Sequence, residues 1–252
     1  MGGGGKVASS THRSFWDTPT LRASAVDAAF RRTLGEGHTP ITHVDGFPTL
    51  LLKREDMNPT GSHKDRAASY QLALAAAQQV PGVVISSSGN AGIATSRYAA
   101  LHGIPAFVCI HPATDPDKIA AIDGATTTLI VTERAINTAK LLSRELGMPN
   151  LRPSTNDDSL VGYSSLGEEL AEVECEHVVI FATSGATAAA VADASSAVYA
   201  SQRAVHFVQG EGNDALVNPG AVITDASAHG AAAGRLGVRR TGLGPRFQYR
   251  RF

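Results

Sequence analysis

Three short loops hold the residue types that could do chemistry. The first runs Arg54-Glu55-Asp56-Met57-Asn58-Pro59-Thr60-Gly61-Ser62-His63-Lys64-Asp65-Arg66. Asn58-Pro59 and Thr60-Gly61 force a turn, Ser62 is placed to cap the helix that follows, and Asp65 falls in its first turn, where negative charge suits the dipole. Lys64 is the anomaly. A cation at a helix N-terminus is electrostatically disfavoured, which favours the neutral amine that Schiff-base chemistry with a carbonyl requires. A surface lysine pointing to water is the ordinary alternative.

The second loop is Ser86-Ser87-Ser88-Gly89-Asn90-Ala91-Gly92. Hydroxyls, a permissive glycine and an amide at a helix start make an anion site from backbone N–H groups. Asn90 both donates and accepts, which suits a hydroxyl on a ligand ring. Plain helix capping by Ser88 or Asn90 explains the same residues. The third loop is Thr183-Ser184-Gly185-Ala186-Thr187-Ala188-Ala189. Its small side chains let a phosphate approach the backbone, although a structural turn reads equally well. It holds neither GxGxxG nor GxxxxGK[ST], so it is not a dinucleotide fingerprint or a Walker loop. Together, an imine-forming lysine, an anion loop and a phosphate loop describe the needs of one cofactor, pyridoxal 5'-phosphate.

The loops need strands before them and helices after them. Short apolar runs at Leu50 to Lys53, Val83 to Ser86, Ala106 to Ile110, Thr128 to Val131, Val178 to Ala182 and Ala204 to Val208 suit strands buried on both faces. Helical stretches alternate with them at Lys64 to Gln79, Ala91 to His102, Pro116 to Ile122, Glu133 to Leu146, Leu160 to Glu174 and Thr187 to Ala200. Alternation of this kind predicts an α/β fold with open, mostly parallel twisted sheets and flanking helices. In such folds ligands sit beyond the carboxyl ends of the strands, where all three loops fall.

Composition narrows the classes. The 252 residues are 43% hydrophobic and 18% charged, which excludes global disorder and a coiled coil. Lys and Arg number 22 against 23 Asp and Glu, a net charge of -1, so there is no electrostatic case for nucleic acid or acidic lipid. No apolar run approaches a membrane span. Two cysteines, Cys109 and Cys175, are too few for a disulfide scaffold and point to a reducing, cytoplasmic setting. The nine histidines show no HExxH and no paired-cysteine partner, so no metal is expected. The glycine run before Lys6 fits neither a secretory signal nor a phosphate loop and reads as a flexible tail. From Asn213 the apolar pattern fades, and Arg235, Arg239, Arg240, Arg246, Arg250 and Arg251 crowd a stretch that reads as a poorly packed end rather than a nucleic-acid arm.

Lys53-Arg54-Glu55-Asp56, Asn58-Pro59-Thr60-Gly61-Ser62 and Lys64-Asp65-Arg66 resemble the cofactor-lysine segment of fold-type II pyridoxal-phosphate enzymes, the tryptophan synthase β-like superfamily. Ser87-Ser88-Gly89-Asn90-Ala91-Gly92 is similar to their substrate and cofactor loop, and Gly35-Glu36-Gly37-His38-Thr39-Pro40-Ile41 resembles the leading segment of threonine synthases. The resemblance runs from about Gly35 to about Gln209. It implies that Lys64 links the cofactor and moves protons at the substrate carbons, and that Asn90 meets the ring hydroxyl. It likewise implies that Ser87, Ser88 and Gly89 hold the substrate carboxylate, and that Thr183, Ser184, Gly185, Ala186 and Thr187 cradle the phosphate. Ala186 and Thr187 stand where the family usually has glycine.

The implied activity is a lyase acting on a small amino acid by elimination or replacement. Threonine synthase, converting O-phosphohomoserine to threonine and phosphate, comes first. A serine/threonine dehydratase (an ammonia-lyase) or a truncated non-catalytic relative are the alternatives. Two domains are implied: a larger one from 35–81 and 151–212, and a smaller one from 82–150. Residues 1–34 form a tail and lead-in, and 213–252 a poorly patterned tail. A homodimer is implied too. Nothing after Val208 matches the family's Ser, Thr or Cys that meets the pyridine nitrogen, so the resemblance implies a chain truncated or divergent there.

Overall fold

The computed structural model describes residues 13–122, 124–198, 204–210 and 236–239. The glycine run and most of the arginine-rich stretch lie outside them. The lead-in packs rather than trailing: Ser14 caps a short 3-10 turn at Phe15–Asp17 through reciprocal bonds with Asp17, and α1 (Pro19–Arg22) follows directly. Phe15, Trp16, Leu21 and Val26 are buried there against Tyr70 and Ala73.

Next come β1 (Ile41–Val44), β2 (Phe47–Lys53), α2 (Lys64–Ala77), β3 (Val83–Ser86), α3 (Asn90–His102), β4 (Ala106–Ile110), α4 (Pro116–Ile122), β5 (Thr127–Val131) and α5 (Ala135–Leu146). The chain continues through α6 (Asp158–Ala171), β6 (His177–Phe181), α7 (Ala186–Val198), β7 (Ala204–Gly210) and β8 (Leu236–Arg239). Every strand and helix expected from the alternation is present, with ends moved by a few residues. The hairpin partner β1 and the strand β8 were not anticipated.

The strands form three sheets among the described residues: the pair β1-β2, the parallel trio β3-β4-β5, and β6-β7-β8. β6 and β7 run parallel, whereas β8 is antiparallel to β7 and β1 to β2. In the parallel trio β3 and β4 behave as the sequence pattern predicts. Val83, Val84 and Ile85 of β3 are fully covered because α3 packs on one side and α5 on the other.

Burial on both faces fails for β2, β5 and β6; in β5 no residue is fully buried and Val131 is exposed. Leu50 and Leu52 are exposed in β2, and in β6 Val179 and Phe181 are 59% and 71% exposed while Val178 is buried. An apolar run does not report how many layers cover it. Around the first turn of α2 the packing is tight, because α6 crosses it at Gly162: a Cβ there would lie 2.3 Å from the Arg66 carbonyl oxygen.

Candidate active site

Lys64 opens α2, but its cap differs from the one expected. The capping position is His63, without a side-chain cap bond, and Ser62 Oγ instead accepts from the Lys64 N–H at 3.3 Å. Asp65 turns back, accepting from the Thr60 N–H at 2.7 Å and from its hydroxyl, which ties the 58–61 turn to the helix. Burial pushes the Asp65 carboxyl up to about 6, against those two hydrogen bonds.

Arg66 is wholly buried and ties the segment before the turn to α6. Its guanidinium donates to Glu55 at 2.7 and 2.8 Å, to Glu169 at 2.6 and 2.9 Å, and to Ser165 Oγ at 3.0 Å. Lys53 Nζ completes the cluster on Glu169 at 2.7 Å. Burial alone would raise the Glu169 carboxyl; Arg66 and Lys53 outweigh it and hold it at about 2. Beneath this lies Glu36, buried and accepting from Ser69 Oγ at 2.5 Å and from the Tyr98 hydroxyl at 2.9 Å. The carboxylates near Lys64 are therefore committed to other donors.

Among the described residues, Lys64 Nζ makes no ion pair or hydrogen bond. It lies 5.2 Å from the ring centroid of Tyr163 in α6, a cation–π distance. The His63 ring packs 5.6 Å from the same phenol. Burial first, and then the charges of Lys64 and Arg66, push His63 down to about 3, so it sits there neutral. Lys64 and Tyr163 line one crevice with Ile85, Ala91, Thr95 and Leu151. That crevice joins the first loop to the start of α3.

At α3 the structure decides between the two readings of the second loop. The capping residue is Gly89, with no side-chain cap bond, so neither Ser88 nor Asn90 caps the helix. Ser87 Oγ accepts from the Gly89 N–H at 3.3 Å. Gly92 is required by close approach, since a Cβ there would sit 2.4 Å from the Ser87 carbonyl oxygen. In front of Gly89 there is nothing within 4 Å of a Cβ position. An uncapped helix start with open space before it fits the approach of an anion. Asn90 is exposed at its rim.

The third loop joins β6 to α7. Gly185 takes a φ of 86°, and Gln209 of β7 donates to the Thr183 carbonyl at 2.9 Å, bracing the turn from the neighbouring strand. Thr183, Ser184 and Thr187 are at least partly open while Gly185 and Ala186 are buried. This loop does not line the Lys64 crevice itself. It reaches it through Tyr163, which shares an apolar cluster with Ala67, Ala186 and Ala190.

Sequence reasoning missed Tyr163, Glu169 and Gln209. The available signal was Gly162-Tyr163 in the middle of a helix, since a helix-interior glycine marks a close approach. Two buried hydroxyls, Tyr163 Oη and Ser86 Oγ at the end of β3, have no hydrogen-bond partner among the described residues. A free amine, a clear helix start, a left-handed small-residue turn and orphaned buried hydroxyls fit a phosphorylated aldehyde cofactor.

Comparison with known proteins agrees. A family model described as "Pyridoxal-phosphate dependent enzyme" matches residues 32–242. A human protein named "Serine dehydratase-like" is 31% identical over 137 residues, 53% of this chain and 41% of that one. The threonine synthase of Methanosarcina acetivorans is 37% identical over 84 residues, 31% of this chain and 21% of that one. Maize serine racemase superposes with a TM-score of 0.62 at 24% identity, covering 70% of this chain and 56% of the racemase, a likeness of fold. The matched stretch thus spans less than half of either curated relative. With the family model covering most of its length and an amine free at the start of α2, the chain belongs to the pyridoxal-phosphate-dependent enzyme family, of fold type II.

Proposed function

We propose that this chain is a lyase of threonine-synthase type, converting O-phosphohomoserine and water to threonine and phosphate. The observation that carries the reading is Lys64: an amine without a counter-ion among the described residues, at a helix start beside a second helix start that has no side-chain cap and is open. When bound, the cofactor supplies an electron sink for a carbanion at the substrate α-carbon. The chain's residues do the rest. Lys64 would anchor the cofactor, and its amine would move the proton between substrate carbons. The N–H groups of Ser88 and the first turn of α3 would take the substrate carboxylate, with Gly89 leaving the approach open and Ser87, which accepts from the Gly89 N–H, shaping the turn. Asn90 hydrogen-bonds the ring hydroxyl, and Thr183, Ser184, Gly185, Ala186 and Thr187 receive the phosphate.

In this reading residues 82–150 form a smaller lobe over a larger one built from 35–81 and 151–212, and the protein works as a cytoplasmic homodimer on a small amino acid. A serine or threonine dehydratase is the second reading, favoured by the human serine dehydratase-like relative, whose alignment covers more of this chain than the threonine synthase's.

The test is visible absorbance with added pyridoxal 5'-phosphate, borohydride reduction and peptide mapping. A band that borohydride fixes on Lys64, and that Lys64→Ala lacks, is expected. Phosphate release from O-phosphohomoserine supports the first reading, and ammonia release from L-serine or L-threonine the second. Cofactor fixed elsewhere, or turnover retained by Lys64→Ala, refutes the lysine's role.

A further inference from the structure

We infer that the Tyr163 hydroxyl is a cofactor ligand that hydrogen-bonds the phosphate, linking Lys64 to the 183–187 loop. This rests on the cofactor reading of the same site. Tyr163 is completely buried, and its hydroxyl has no partner among the described residues. A phenol in that condition is costly, because burying an unmade hydrogen bond forfeits the bond water had supplied. A phenylalanine would fill the same space and keep the same ring contacts. The hydroxyl is therefore explained by something that arrives later.

The surroundings say what arrives. Near the phenol are the Lys64 amine and the neutral His63 ring. The same phenol shares an apolar cluster with Ala67 and with Ala186 and Ala190 of the first turns of α7, where the helix dipole favours negative charge. Lys64 and the first N–H groups of α7 are donors, so a group that reaches both them and the phenol is an acceptor. A phosphate oxygen meets that requirement, and a phenol donates to it strongly because the acceptor is charged. The tyrosine's ring holds the lysine while its hydroxyl serves the anion. Gly162 makes this possible by letting α6 approach α2 closely enough to present the next residue at Lys64.

The experiment compares the full chain with Tyr163→Phe, which keeps the ring and deletes only the hydroxyl. Binding of pyridoxal 5'-phosphate and of pyridoxal, which lacks the phosphate, is measured by the Lys64-linked absorbance band, together with thermal melting of the ligand-free proteins. The expected result has three parts: ligand-free melting not lowered, pyridoxal binding unchanged, and pyridoxal 5'-phosphate binding weakened about tenfold or more, as for loss of one bond to a charged acceptor. Unchanged affinity for the phosphorylated ligand overturns the proposal. So does an equal loss for both ligands, which would place the hydroxyl at the ring or the amine. A lowered ligand-free melting temperature would show that the hydroxyl already has a structural partner. If the parent chain forms no Lys64-linked band with either ligand, the cofactor reading itself falls and the phosphate role with it.

Discussion

Replacing Gly162 by alanine tests the contact on which the site depends. The added Cβ would lie 2.3 Å from the Arg66 carbonyl oxygen, 2.8 Å from its carbonyl carbon and 2.7 Å from the Ala67 Cα. All three are backbone atoms of α2, so no rotamer change relieves the overlap. Ordinary carbon–oxygen contacts sit at about 3.3 Å or more, so α6 and α2 must separate by roughly 1 Å. Overpacking of this kind costs about 1–3 kcal/mol, and a clash between two helix backbones belongs at the upper end. Alanine returns up to about 1 kcal/mol through helix propensity. The net loss is then about 2 kcal/mol, a fall of roughly 4–8 °C in melting temperature for a chain near this size. Urea denaturation followed by circular dichroism gives the midpoint at constant slope. Because the separation occurs beside Lys64, borohydride-fixed cofactor at that lysine should fall as well. A Gly162→Ala chain as stable as the parent, or more stable, would mean that only the propensity gain was felt and that the helices do not meet there.

Three further outcomes follow from the buried charges. Arg66→Met strands Glu55 and Glu169 in the interior with Lys53 alone against them, and should cost about 3–5 kcal/mol in urea denaturation; a loss below about 1 kcal/mol would show that the cluster is solvated. Asp65 has a folded pKa of about 6 against an ordinary 3.8, so its contribution to stability is fully present below 3.8 and is lost as pH rises towards 6. Asp65→Asn should therefore gain stability relative to the parent across that window and hold the gain above it; a pH-independent difference would contradict the burial of the carboxyl. Glu169 works in the opposite sense: its stabilisation is present above its ordinary 4.5 and is lost as pH falls towards 2, so Glu169→Gln should flatten the acid limb of the parent's stability profile.

Much of the framework was legible because the alternation of strand and helix is a local property. Val83 to Ser86 and Ala106 to Ile110 are apolar and β-branched enough to be strands wherever they fall, and Gly103 and Gly147 close the helices that precede each next unit. The three loops were legible for the same reason, since each is a turn between a strand or hairpin and a helix. Legibility failed where a residue's state depends on what lies across from it. Leu50, Leu52, Val179 and Phe181 look like core in the sequence and are exposed in the fold, because the number of covering layers is a tertiary fact.

The sequence alone determined which groups are available: an amine at Lys64, an anion loop ending in Asn90-Ala91-Gly92, and a small-residue turn at 183–187. Their chemistry follows from residue type and helix position, both local. The tertiary structure decided which group stays free. Lys53, Glu55 and Arg66 come from one stretch, but Glu169 lies more than a hundred residues further on, and only folding brings it to them so that the carboxylates are taken and the Lys64 amine is left without a counter-ion among the described residues. Tyr163 is the same case. Apart from the helix-interior Gly162 beside it, nothing in the chain distinguishes it from a core aromatic, and its significance arises because α6 crosses α2 at Gly162 and brings to the lysine a tyrosine that also packs in a cluster with Ala186 and whose buried hydroxyl has no partner among the described residues.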